Sequence, residues 1–316
     1  MNVLVTGGAG FIGSNLCNKL LQLGYFVTAI DNFDLFYAKE IKLKNISSLV
    51  GNPNFKFIEL DISSKQKLNE GLNDTYEIVF HLAAKAGVLP SIKNPEEYLN
   101  VNITGTQNLL EFSKNKNIKK FIFASSSSVY GINSNTPWSE NDNVLEPISP
   151  YAASKISGEL IGKVYSHLYN IQFIALRFFT VYGPGQRPDL AIHKFTKMIL
   201  EGKEIPFYGD GTTQRDYTYI DDIIDGIIAT INYNKSPYEI INLGNNTPHS
   251  LFELVATIEK VTNKKALLNK LPMQQGDVPV TYANISKAQL LLNYAPKTSL
   301  VDGITKFYNW IENNHD

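Results

Sequence analysis

The chain has 316 residues, enough for one large domain or two intimate ones around a substantial core. With 43% apolar residues, 19% charged residues and a net charge of −1, it supports neither a nucleic-acid footprint nor an acidic tail. An anionic ligand must therefore be met by local donors. The single cysteine, Cys17, excludes an intramolecular disulfide. It reads as a small core residue, with a reactive thiol as the alternative, and the expected compartment is a reducing cytoplasm. No apolar run reaches the ~18–20 residues of a membrane span. Met1-Asn2 leads directly into a strand, with no targeting layout and no room for one.

In chain order, residues 3–6 read as a short buried strand and 15–23 as a helix closed by Gly24. A second strand over 26–30 ends at Asp31. Further strands are expected at 56–60, 78–82, 121–124 and 173–176, with helices between them, notably 98–115 and 150–169. Strand and helix alternation predicts an α/β fold, a Rossmann-type doubly wound parallel sheet covered on both faces. The pattern loosens after about residue 180, where Gly183-Pro184-Gly185 and Gly209-Asp210-Gly211 mark loops. The expected division is a dinucleotide-binding domain over 1–180, to which later segments return, and a smaller C-terminal α/β substrate lobe over 181–316.

The run Thr6-Gly7-Gly8-Ala9-Gly10-Phe11-Ile12-Gly13 follows a strand and opens a helix. Gly7 permits the tight turn, Gly10 lets a pyrophosphate approach the backbone, and Gly13 lets helix and strand pack closely. The helix N-terminus offers free N–H groups and partial positive charge, which puts Phe11 and Ile12 at the cofactor. Asp31, at the end of the second strand, would bind the adenosine ribose hydroxyls and repel a 2′-phosphate, so NAD is expected over NADP. Asp61-Ile62 follows another strand and either meets the adenine or, through Asp61, caps a helix.

Tyr151 and Lys155 form Y-x-x-x-K on a helix for which Ser149 is the expected N-cap and Pro150 the first residue. The spacing puts both side chains on one face. To act as a base near neutrality the phenol needs its pKa lowered, which a neighbouring ammonium favours. The run Ser125-Ser126-Ser127-Ser128 ends a strand, where a hydroxyl could bond a reacting sugar oxygen. A plain polar turn is the alternative.

With these residues assembled, the chain resembles the extended short-chain dehydrogenases, and within them the nucleotide-sugar epimerases and dehydratases. The resemblance spans nearly the whole chain: Gly7–Gly13, Asp31-Asn32, His81-Leu82-Ala83-Ala84, Asn102 with Gly105-Thr106, Ser125 to Gly131, Tyr151 to Lys155, Arg177 to Gly183, Arg215-Asp216-Tyr217 and Gly276-Asp277. It implies Ser126, Tyr151 and Lys155 as catalytic, Ser126 being chosen by counting back from Val129-Tyr130-Gly131. It also implies Asn32, Ala83, Asn102 and Lys155 at NAD, Arg215 at the diphosphate with Arg187 helping, Tyr208 against the uracil, and Asp277 in the substrate site. Surface ion pairs are the alternative for both arginines.

Related dehydratases place an acid pair after the catalytic hydroxyl, and related decarboxylases place a glutamate before Val-Tyr-Gly. Here those positions hold Ser127 and Ser128, which removes a proton donor for either reaction. The stretches Arg177 to Pro184, Arg187 to Ala191 and Gln274 to Thr281 resemble UDP-glucuronate 4-epimerases. UDP-glucose 4-epimerases carry asparagine where Thr180 stands and arginine where Gln274 stands. The implied reaction is NAD-dependent inversion at C4 of UDP-glucuronate, with Ser127, Ser128 and Thr180 holding the carboxylate. UDP-glucose and UDP-N-acetylglucosamine 4-epimerases are the near rivals; a dehydratase and a non-catalytic NAD-binding protein are the distant ones. The resemblance further implies a homodimer and a role in polysaccharide biosynthesis. The five dispersed histidines offer no zinc set, so no metal is expected. His193, His249 and Trp138 read as loop or packing residues.

Overall fold

A computed structural model describes residues 1–273 and 277–314. Gln274, Gln275 and Gly276, which entered the comparison with neutral-sugar epimerases, lie outside the described residues.

Seven parallel strands form the central sheet: β1 (Asn2–Thr6), β2 (Phe26–Asp31), β3 (Phe55–Glu59), β4 (Ile78–His81), β5 (Lys120–Ser126), β6 (Gln172–Phe178) and, from late in the chain, β10 (Tyr238–Leu243). Their order is β10-β6-β5-β4-β1-β2-β3. The order reverses between β1 and β4, and the crevice at that switch point is where such sheets bind ligands. β1 shows why the strands are apolar throughout. Val3 and Val5 enter one core and Leu4 the other, because both sheet faces are covered. Helices Phe11–Gln22 and Ile220–Ala229 pack side by side, bridged by Lys19 and Asp225 at 3.5 Å.

The remaining strands are β7 (Thr180–Tyr182), β8 (Glu204–Tyr208), β9 (Gln214–Tyr219), β11 (Pro248–Ser250) and β12 (Leu267–Leu271). They make a three-stranded sheet, β11-β9-β7, and a two-stranded one, β12-β8. One residue, Phe179, separates β6 from β7, so Thr180 stands beside the C-terminal ends of the main strands.

Helix Pro150–Tyr169 forms as its sequence predicts: the Ser149 hydroxyl accepts the Ala152 N–H at 3.1 Å and Pro150 fills the first turn. Gly162 seats it against the sheet, since a Cβ there would lie 2.2 Å from the Phe173 ring. Two helices differ from expectation. The first begins at Phe11, four residues earlier than the apolar pattern indicates. The helix expected over 98–115 is interrupted: Pro95–Tyr98 is α-helical, Leu99–Thr104 is π-helical and Gly105–Asn115 is α-helical. The Thr106 hydroxyl donates to the Asn102 carbonyl at 2.6 Å within this interruption. A wide turn of this kind shifts side chains by one position, which apolar periodicity does not register.

Candidate active site

A cavity of about 520 Å³ runs along the switch point. At one end lies the glycine turn. Gly7 has φ +71°, and a Cβ on it would sit 2.8 Å from the Ala83 nitrogen. A Cβ on Gly13 would lie 2.0 Å from the Gly7 carbonyl oxygen. Gly10 caps helix Phe11–Gln22 with no side chain in the way. The first backbone N–H groups of that helix therefore face the cavity bare, as a pyrophosphate requires. Gly7, Gly10, Phe11, Ile12, Gly13, Asn32, Ile62 and Ala83 all line this cavity.

Asp31 lies buried at the far end. Its Oδ1 accepts the Phe33 N–H at 2.9 Å and meets the Lys42 ammonium at 3.3 Å. Its Oδ2 has no partner among the described residues, which leaves one oxygen for a pair of ribose hydroxyls. Lys42 was not singled out from the sequence, although a lysine on the inner face of a short helix is itself a signal. It offsets part of the negative charge that would repel a 2′-phosphate. Asp61 lies behind this end, accepting from Asn32 at 3.1 Å and from the Ser63 N–H and hydroxyl at 2.8 and 2.7 Å. Burial opposes its charge, but these bonds together hold its pKa below the ordinary carboxylate value. Ser64, not Asp61, caps the following helix.

Asn102, expected at NAD from the resemblance, is bonded within the protein. Its Oδ1 accepts the Lys85 N–H at 2.8 Å, and its Nδ2 donates to the Lys85 carbonyl at 3.0 Å and the Ser154 hydroxyl at 2.9 Å. It is buried in the π-helical turn and lies outside the cavity lining. Lys85 does line the cavity, and its ammonium pairs with Asp34 and Glu97, both at 2.9 Å.

Ser126, Tyr151 and Lys155 converge on the middle of the cavity. Ser126 ends β5, accepts the Ser128 N–H at 3.1 Å and caps the 3₁₀ turn Ser127–Tyr130. Burial holds the Tyr151 phenol above its ordinary pKa, while the Ser126 hydroxyl and the Arg187 guanidinium act in the opposite sense. The Lys155 ammonium donates to the Ala124 carbonyl at 2.7 Å and sits 5.8 Å from the centre of the Tyr151 ring. Burial drives its pKa down to about 7, with the Glu159 carboxylate one turn along opposing. Lys155 can therefore change its charge near neutrality, close beside the phenol.

A smaller recess of about 160 Å³ opens beside Ser126 and is lined by Ser127, Ser128, Thr180, Arg215 and Asp277. The Ser127 and Thr180 hydroxyls have no partner among the described residues. Arg215 pairs with Asp277 and donates to the Gln214 carbonyl at 2.6 Å. Arg187 lines the main cavity, clamped by Asp189 at 2.9 and 2.7 Å and lying over the Phe36 ring. Burial disfavours its charge, yet Asp189 keeps its pKa above the ordinary arginine value. Tyr208 ends β8 and lines neither cavity. Trp138 and His193 are packed, Trp138 stacked on Tyr130 and His193 edge-on to Phe307, and His249 pairs opposite Arg215 in β11. Among the described residues no group of three or more metal-ligating side chains is placed to hold an ion.

Residues 3–244 match the model of the NAD dependent epimerase/dehydratase family. The chain belongs to this family. A UDP-glucuronate 4-epimerase of Thermodesulfobacterium geofontis is 44% identical over 98% of this chain and 96% of its own. Among solved structures, the UDP-glucuronic acid 4-epimerase of Bacillus cereus in complex with UDP-glucuronic acid and NAD matches over 100% of both chains, with a TM-score of 0.92 and 42% identity. The UDP-glucose 4-epimerase of Thermotoga maritima with UDP-glucose matches over 99% of both, with a TM-score of 0.91 and 32% identity. Both of these structures share the fold of this chain although they hold different UDP-sugars.

Proposed function

We propose that this protein is a UDP-glucuronate 4-epimerase, which uses NAD to invert C4 of the sugar through a 4-keto intermediate and yields UDP-galacturonate. The observation that carries the reading is the recess beside Ser126. Ser127 and Ser128 stand where a dehydratase or decarboxylase would place a carboxyl acid, Thr180 lines the same recess, and the three hydroxyls suit a carboxylate as ligand.

The glycine turn, Asp31 and the first turn of helix Phe11–Gln22 would hold the NAD. When bound, it supplies the hydride acceptor, and later donor, for C4. Tyr151 removes the proton of the 4-hydroxyl and later returns it. Ser126 orients that oxygen. Lys155, close behind the phenol, favours the phenolate when charged. Arg215 faces the diphosphate and Arg187 adds positive charge. Residues 181–316 mainly furnish the nucleotide-sugar lobe, while β10 and helix Ile220–Ala229 belong to the dinucleotide layer.

Purified protein mixed with UDP-glucuronate and no added NAD should generate UDP-galacturonate up to an equilibrium mixture, followed by proton NMR. No change even with added NAD would defeat the glucuronate reading, and turnover of UDP-glucose or UDP-N-acetylglucosamine in the same assay would replace it.

The 4-keto acid so formed can lose carbon dioxide when its carboxyl–C5 bond aligns with the ketone π orbitals. Ser127, Ser128 and Thr180 hold the carboxylate out of alignment, through charge-assisted hydrogen bonds worth roughly 1.5–3 kcal/mol each. The triple alanine variant, supplied with NAD, should release UDP-4-keto-pentose and carbon dioxide and leave one NADH for each. If its yield matches that of the unmodified protein, the three hydroxyls do not have this role.

A second copy of the chain is the proposed partner. Leu160, Val164 and Leu168 are exposed at 55%, 52% and 58% and form one stripe along helix Pro150–Tyr169, beside exposed Leu99. An apolar face of this kind is suited to a like face across a two-fold axis. Val164→Glu should convert a dimer to a monomer in light scattering; an unchanged mass would place the interface elsewhere. No helix among the described residues is long and apolar enough to cross a membrane. We assign the enzyme to the reducing cytoplasm, where buried Cys17, its thiol pushed well above the usual range by desolvation, stays protonated. Its product would feed polysaccharide biosynthesis.

A further inference from the structure

We propose that His81 is a positioning residue, a neutral imidazole of one fixed tautomer that registers the helix carrying Tyr151 and Lys155 against the glycine turn. The inference rests on the epimerase reading for its kinetic consequence, but not for its structural one. His81 belongs to the His81-Leu82-Ala83-Ala84 stretch, and no step of the reaction above uses it.

The direction of each hydrogen bond follows from counting protons. The Thr6 hydroxyl accepts the Ala83 N–H at 3.1 Å, so its own proton is free for His81 Nδ1, 2.7 Å away. The Thr106 hydroxyl spends its proton on the Asn102 carbonyl at 2.6 Å, so it must accept from His81 Nε2–H at 2.9 Å. Nδ1 is thus the acceptor and Nε2 the donor. From Asn102 the chain continues through Nδ2 to the Ser154 hydroxyl at 2.9 Å, which donates to the carbonyl of Tyr151 at 2.7 Å. One end of this chain is the residue before Gly7; the other is the backbone of the proposed catalytic tyrosine.

The surroundings leave the imidazole no other polar outlet. The Phe121 and Phe123 rings pack on it, both with centroids at 5.7 Å, and it is 2% exposed. Burial, reinforced by the charge of Lys155, pushes its pKa down to about 3, so it stays neutral at working pH. An apolar core would be served as well by a third phenylalanine. A histidine in this slot has bonds to make, and both go to threonines, Thr6 bonded on to the Ala83 N–H and Thr106 to the Asn102 carbonyl.

The test compares His81→Phe, His81→Gln, Thr106→Val and the double variant His81→Phe/Thr106→Val. The phenylalanine fills the slot without bonds; the glutamine amide restores one acceptor and one donor. With UDP-glucuronate as substrate, His81→Phe should lose kcat roughly 10- to 100-fold, the scale of a small misplacement, with KM held within about twofold. The isotope effect on kcat with sugar deuterated at C4 should rise. Amide exchange over residues 83–87 and 150–155 should quicken. His81→Gln should recover most of the rate, Thr106→Val should match His81→Phe, and the double variant should be no worse than the worse single one.

Unmodified kcat and exchange in His81→Phe would overturn the proposal. So would equal losses in the glutamine and phenylalanine variants, or additive losses in the double variant. Should His81→Phe not fold, Thr106→Val alone decides on the same kcat and exchange criteria. An unmodified protein inactive on every UDP-sugar would end the epimerase reading, and the exchange comparison would then decide on His81 by itself.

Discussion

Replacing Tyr151 with phenylalanine should lower turnover by roughly 10²–10⁴-fold, the usual worth of a positioned acid–base group, while NAD and UDP-glucuronate still bind. The phenylalanine ring keeps the edge-on contact with Tyr98, whose ring centroid lies 6.2 Å away, so the pocket wall survives. What is lost is the one hydroxyl that meets Ser126 and can take the proton of the 4-hydroxyl. Ser126 alone cannot replace it, since an ordinary alcohol is far too weak a base, and its hydroxyl already accepts the Ser128 N–H and donates to the Ser128 hydroxyl. Calorimetry for both ligands and an NMR progress curve decide the matter. Full activity in the variant would remove Tyr151 from the mechanism, and lost NAD binding would mark it as a packing residue.

The second large effect is on stability. Glu159 and Arg177 form a fully buried bidentate pair at 2.9 and 2.8 Å, with Ser125 donating to the same carboxylate at 2.6 Å and Tyr130 lying under the guanidinium. Glu159→Gln leaves the Arg177 charge in the interior without its counter-ion and should cost about 3–5 kcal/mol, read from the urea midpoint. Replacing both residues with methionine should recover most of that loss, because the desolvation of the pair disappears with it. A double variant as unstable as the single one would show that shape rather than charge is at stake. Glu159 also raises the Lys155 pKa, so its neutralisation should let that pKa fall further below about 7 and move the Lys155 limb of the activity profile to lower pH.

Residues that act through local pattern were legible in the sequence. Strand–turn–helix spacing placed Gly7, Gly10 and Gly13; Gly7 takes a positive φ and Gly13 an approach to 2.0 Å that no other residue fits, while Gly10 leaves the start of the helix clear of a side chain. Ser149-Pro150 announced the start of its helix because capping is a matter of neighbouring backbone groups. Asp31 was singled out because strand ends in this fold face the crevice, and it lines the cavity there. Lys42 and Lys85 were not found, because their partners Asp31, Asp34 and Glu97 lie on other segments. Nor was the saturation of Asn102, which depends on a π-helical turn that no apolar period marks.

The sequence by itself determined the fold class, the parallel order of strand and helix, the dinucleotide turn and the Y-x-x-x-K pair, because each rests on spacing along the chain. Only the tertiary structure decided that β10 is the strand that returns to the main sheet, that Arg215 and Asp277 share one recess with Ser127, Ser128 and Thr180, and that His81 links Thr6 to Thr106. Those arrangements join residues tens of positions apart. They exist because burying both faces of the sheet leaves polar groups at its C-terminal edge that must find partners across strands rather than along them.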